Sequence, residues 1–138
     1  MTAAALAEAA EDRSYGWFFA GVRDEFAWLT DAGARVSNVL VHFRELPVEY
    51  HCLDSRVAVE YTPEPGDLRI AVVTSGQPEE LIWDVMRRMD PTTDWIPWPD
   101  QNRLDRPAAL SVLHLWADGM RRHLSGRRCA AIEASGGR

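Results

Sequence analysis

The sequence predicts an α+β domain, an antiparallel meander of three to four strands packed by about three helices. Three observations carry that prediction. Apolar residues recur at helical spacing near the start and again over the last third of the chain. Between those stretches, short runs alternate apolar with polar residues and are broken by Pro, Gly and Asp-Ser turns. Strand and helix signals do not alternate one by one, which disfavours a parallel doubly wound sheet.

The first helix is expected over Ser14–Asp31. Tyr15, Phe19, Val22, Phe26 and Leu29 fall on one face, and Trp17, Phe18 and Trp28 widen it. Gly33 stands where a left-handed C-terminal cap belongs. Residues 1–13 are alanine-rich and acidic, with Leu6 as their one large aliphatic residue after Met1, and read as a frayed or partly helical arm. The stretch 36–44 reads as a strand with Val39, Val41 and Phe43 on one face. The run 48–53 sets Val48, Tyr50 and Cys52 against Glu49, His51 and Leu53. The run 56–61 sets Val57, Val59 and Tyr61 against Arg56, Ala58 and Glu60. TPEPGD (62–67) is a turn, and 68–74 completes the sheet. Short connections favour antiparallel neighbours with one buried and one wetter face.

Pro78 is expected to open a helix with Glu79 and Glu80 in its first turn, where the helix dipole favours acids. Its apolar side is Leu81, Ile82, Val85, Met86 and Met89. The last helix follows Asp105 or Arg106 and carries Leu110, Leu113, Ala117, Met120 and Leu124 as its stripe, broadened by Val112 and Trp116. A single domain over 14–125 and a mobile tail over 126–138 follow from that pattern.

The chain has 138 residues, 15 arginines, no lysine and a net charge of −6. Counterion-driven nucleic-acid binding is disfavoured, and basic protein partners are favoured. Absence of lysine excludes a standard P-loop, and no GxGxxG, CxxC or HExxH motif occurs. No metal or cofactor is called for. The N-terminus lacks a basic secretory signal and no run is long and apolar enough for a membrane span, so a cytoplasmic protein with Cys52 and Cys129 as thiols is expected. Arginine usage and abundant alanine suggest a bacterial, GC-rich genome.

Candidate sites are few. His114 and Asp118, four apart on one helix face, read as an acid–base dyad or a simple helix pair. With His51 and Tyr50 they form the candidate lining of an aromatic pocket between sheet and helices. Glu49, Glu60 and Asp67 with Arg44, Arg56 and Arg69 read as cross-strand charge pairs on a solvated face. The most unusual stretch is DPTTDWIPWPD, 90–100, which is too apolar for an ordinary connection. Trp95, Ile96 and Trp98 either plug the space between the helices and the sheet or present an aromatic edge flanked by Asp94 and Asp100. On the second reading the partner-binding set is Trp95, Trp98, Asp94 and Asp100, with Glu79, Glu80 and Asp84 beside it.

The order of helix, Asp31-Ala32-Gly33 turn, meandering strands, Pro78-Glu79-Glu80 helix, Pro/Trp loop and terminal helix spans about 14–125. It resembles small bacterial α+β proteins, among them immunity proteins that neutralise polymorphic toxins. The likeness is one of organisation and carries no functional residue over. It implies a non-enzymatic, acidic binder of immunity or accessory type, covering a toxin's active site. Two other functions remain open: a small-ligand protein or small enzyme using the aromatic pocket, and a subunit whose first-helix aromatics complete a homodimer or larger assembly.

Overall fold

The computed structural model describes residues 3–42, 44–52, 55–96 and 103–123. Phe43, Leu53, Asp54, Trp98, Asp100, Leu124, Cys129 and the expected tail lie outside them. The described elements are α1 (Ala3–Ala9), α2 (Gly16–Glu25), α3 (Ala27–Asp31), β1 (Arg35–Val39), β2 (Leu46–Cys52), β3 (Ser55–Thr62), β4 (Asp67–Thr74), β5 (Glu80–Leu81), α4 (Ile82–Met89) and α5 (Arg106–His123). The α+β class and the antiparallel meander stand as predicted, with a fifth short strand. The sheet order is β1-β2-β3-β4-β5 and every pairing is antiparallel.

The alternation in β2 and β3 sets the inner face. Leu46, Val48, Tyr50, Val59, Tyr61, Leu68 and Ile70 are buried beneath the helices, while Glu49, His51, Arg56 and Glu60 lie on the outer side. The outer face carries the expected charge pairs, with Arg56 3.6 Å from Glu49 and Arg69 3.5 Å from Glu60. Arg69 and Glu60 sit directly opposite one another, and Arg56 reaches Glu49 diagonally.

Several boundaries differ from expectation, each for a local reason. The Ser14–Asp31 helix is two pieces that meet at Phe26, whose φ of −108° and ψ of 16° leave the helical range. The break still buries Phe26 and Leu29, and sets the Phe26 ring 5.7 Å from Tyr50. The chain then closes with a Schellman pair. Ala34 N–H donates to Leu29 O, Gly33 N–H donates to Thr30 O, and Gly33 has φ 107°. Of the two readings of the arm, frayed or partly helical, residues 3–9 take the helical one, with Leu6 and Ala9 buried against the core.

Strand β1 ends at Val39, short of residue 44. A bulge between Val36 and Asn38 puts two residues where one would alternate, and the Ser37 hydroxyl donates to Glu49 O at 3.2 Å. Val36 and Val39 therefore share the inner side, and Val41 is exposed rather than buried.

The Pro78 helix starts later than predicted. Glu80 and Leu81 are extended and pair with Val72 and Ala71, so the helix begins at Ile82 and Glu79 and Glu80 precede it. α5 begins where predicted. The Asp105 carboxylate accepts from the Ala108 amide at 3.0 Å, an N-cap in the usual three-residue relation. No helix among the described residues is long and apolar enough to cross a membrane.

Aromatic rings fill the space between the layers. Trp17 and Phe18 pack on Tyr61 at 5.3 and 5.7 Å, and Trp83 packs on Trp116 at 5.4 Å. The first-helix aromatics that suggested an assembly surface are largely absorbed here. Phe18, Phe19 and Phe26 are buried, and Trp17 and Trp28 are half-buried against the same cluster.

Candidate functional site

The predicted site residues separate into three places. Trp95 is in the core, 1% exposed, which corrects the reading of it as a partner contact. Its indole N–H donates to Asp90 O at 2.9 Å, and its own carbonyl accepts from the Trp116 indole at 2.8 Å. A hydrophobe of that size with both polar groups satisfied is more stable inside than facing water. Asp94 is exposed and its carboxylate accepts from the Ile96 amide at 3.1 Å, a local turn contact. Trp98 and Asp100 fall outside the described residues.

The loop that carries Trp95 is tied at its start by Asp90. Thr92 and Thr93 donate their hydroxyls to the Asp90 carboxylate at 2.7 and 2.6 Å, and the Thr92 amide adds a bond at 3.1 Å. The Thr92 and Thr93 hydroxyls, with His123 as a lesser contribution, hold that carboxyl down to about 2. A lowered folded-state pKa stabilises above the unfolded value, about 3.9, and the gain is lost as pH falls through about 2. Asp90→Asn is therefore expected to lower the denaturation midpoint at neutral pH. The gap from the wild type should shrink as pH falls from about 4 towards about 2. Paired urea melts measure it, and a gap that stays constant over that range would refute the anchoring role.

The pocket set does not converge. Tyr50 is buried in the core, where desolvation raises its phenol well above the ordinary value. His51 projects from the opposite side of β2, level with Arg35 and Arg56. His114 Nδ1 lies 2.9 Å from a Glu25 oxygen, so its partner is on α2 rather than Asp118. Asp118 is engaged by Arg121 at 2.6 Å and Arg122 at 2.8 Å, and these two hydrogen bonds hold its carboxyl below the ordinary range. These four side chains thus point into at least three environments, and the acid–base dyad is not formed. No cluster of three or more His, Cys, Asp or Glu side chains among the described residues could hold a metal ion.

Three predicted residues do come together. Glu79, Glu80 and Asp84 line one open groove of about 650 Å³ at the β5 edge of the sheet. Arg69 of β4, Leu81 of β5, and Arg87 and Arg88 of α4 complete its walls. Glu79 and Glu80 arrive there because the chain is extended up to Leu81, and Asp84 because the first turn of α4 faces the same way. The walls are cross-linked, with Arg88 2.8 Å from Glu80 and Arg87 2.8 Å from Asp84. Both pairs are roughly half-exposed, and ion pairs of that kind contribute only about 0–1 kcal/mol each. On the outer face beside it, burial and a hydrogen bond with Glu45 push the Glu60 carboxyl up, and Arg69 opposes them.

Arg69, Arg87 and Arg88 were not among the predicted binding residues. A signal was present, since Asp84, Arg87 and Arg88 stand at helical spacing, but the approach of Arg69 depends on β4 pairing with β5. No protein-family model, curated protein or solved structure matches the chain.

Proposed function

We propose that the protein is a non-enzymatic, cytoplasmic protein-binding module of immunity or accessory type that takes its partner in the groove between β5 and α4. The observation that carries this reading is the convergence of Glu79, Glu80 and Asp84 with three arginines on one open, concave surface. Groove charges held in weak exposed pairs can exchange their present partners for those of an incoming protein at little cost. Charge patterns of this sort set orientation and association rate more than bulk affinity. The dispersed His114, Asp118, His51 and Tyr50 give catalysis no comparable focus among the described residues.

The test is quantitative affinity capture from the native cell with the wild type and with Glu79→Arg/Asp84→Arg. Both residues are exposed, so the variant is expected to keep its helical signal and melting temperature. The wild type is expected to retain one protein stoichiometrically, and the variant to lose it by at least about tenfold, the scale of one disrupted charge cluster. Equal retention by both proteins would remove this groove as the site.

A further inference from the structure

A second concavity lies at the other edge of the sheet, between α1 and the end of β1, with a volume of about 450 Å³. Its floor is aliphatic, made by Ala5 and Ala9 of α1 with Val39 and Val41. Its rim is acidic, made by Glu8, Glu11 and Asp12. The Asp12 carboxylate accepts from the Ser14 and Tyr15 amides at 3.1 and 2.8 Å, which fixes that part of the rim in place. Arg13, His42 and Arg44, basic residues close by in sequence, are not in the described lining, which contains no cation.

This differs from the β5–α4 groove in two ways. There the acids and arginines balance, whereas here three carboxylates share the described lining with four aliphatic side chains and no opposing charge. Here too the chain leaves large aliphatic side chains in water, Leu40 at 52% and Val41 at 42% exposure. Uncompensated acid beside exposed aliphatic surface is complementary to one kind of occupant, a cationic segment that also carries an apolar residue. Arginine and lysine suit such a place because their stems lie on apolar surface while their heads reach the carboxylates. Like charge at the rim repels acidic segments and steers basic ones in.

We propose that the α1–β1 groove docks a basic, amphipathic segment of a partner protein. An aliphatic side chain of that segment sits on the Ala5–Ala9–Val39–Val41 floor, and its arginine or lysine side chains meet Glu8 and Glu11. The site uses none of the residues of the β5–α4 groove and stands whether or not that groove binds a partner.

Three fluorescein-labelled synthetic peptides of about 14 residues test it by anisotropy on the purified chain. One has leucine and arginine at helical spacing, one has every leucine replaced by serine, and one has every arginine replaced by glutamate. The first is expected to bind saturably and to weaken as salt rises from about 50 to about 300 mM. The other two are expected to bind at least about tenfold more weakly. Glu8→Arg/Glu11→Arg and, separately, Val41→Asp are expected to weaken the first peptide by a similar factor. Asp24→Arg/Asp31→Arg changes net charge equally on α2 and α3 and is expected to leave binding intact. Circular dichroism confirms that each variant is folded.

Absence of binding, or equal binding of the serine peptide, would overturn the proposal. So would equal loss in the Asp24/Asp31 control, which would mean that net charge alone attracts the peptide. A dimer by light scattering that Val41→Asp disperses would assign the groove to a second copy of the chain, and would overturn it as well.

Discussion

Trp95→Ala is expected to cost about 3–5 kcal/mol of folding stability, the range for deleting a large buried aromatic side chain. The indole is 1% exposed, and its removal also leaves Asp90 O without that donor. Urea or thermal melts would show the loss directly. The same measurement separates a structural plug from a docking aromatic, because an exposed tryptophan could be removed with little change in stability. The space around the ring is tight enough to give a second signature. A Cβ built on Gly119 of α5 would stand 2.5 Å from Cη2 and Cζ3 of Trp95 and 3.2 Å from Met86 Sδ. Gly119→Ala is thus expected to destabilise by about 1–3 kcal/mol through overpacking, although alanine is the better helix former. In the Trp95→Ala background the same change loses its obstacle and should become neutral or favourable. The double-mutant cycle reads that coupling, and additive costs would show that the ring does not occupy the place described.

The fate of Trp95 illustrates what the sequence can express. Side-chain alternation is a local property, so the inner and outer faces of β2 and β3 could be read from Val48 to Tyr61 without knowing the fold. Capping is local too, which is why Gly33 and Asp105 fall where their types suggested. Burial of Trp95 is not local. It depends on Gly119, 24 positions later, being small enough to admit the ring, and on the Trp116 indole N–H donating to its carbonyl. The helix at residues 3–9 had the same problem, since one leucine and small alanines form a buried face only when another element already offers a surface.

Of the candidate site, the acidic residues were legible and their setting was not. Glu79 and Glu80 look like helix-start acids, but the tertiary pairing of Leu81 with Ala71 extends the chain there and leaves Asp84 as the acid of the first turn. Arg69 lies opposite Glu60 on the neighbouring strand and also reaches the groove, a double role that only the sheet register creates. His114 and Asp118 have the right spacing for each other, yet Glu25 and the two arginines of the last turn of α5 take them instead. Spacing identified neighbours on one helix, and packing decided which partner prevailed.

Gly66→Ala is expected to cost roughly 2–4 kcal/mol, from a left-handed backbone that disfavours a Cβ and from a collision with main chain. Gly66 has φ 108°, and an added Cβ would lie 2.7 Å from Leu104 O and 2.9 Å from Leu104 N. Backbone atoms cannot rotate aside as a flexible side chain can. The approach is close because two bonds clamp it, with Leu104 N–H donating to Gly66 O at 2.7 Å and the Tyr61 hydroxyl donating to Leu104 O at 2.6 Å. This clamp joins the β3–β4 turn to the segment that leads into α5, and Arg69 begins its reach toward the β5–α4 groove three residues later. Gly76→Ala is the matched control. Its φ is 78°, but no heavy atom lies within 4 Å of the added Cβ, so it should cost only the conformational share, about 1–2 kcal/mol. Denaturant midpoints of the two variants then divide strain from collision. If Gly66→Ala is no worse than Gly76→Ala, the chain yields at Leu104 and the clamp is looser than its two bonds imply. If it is worse by the expected margin while Tyr61→Phe costs about 1 kcal/mol, the turn is held by backbone fit with the phenol bond as a secondary support.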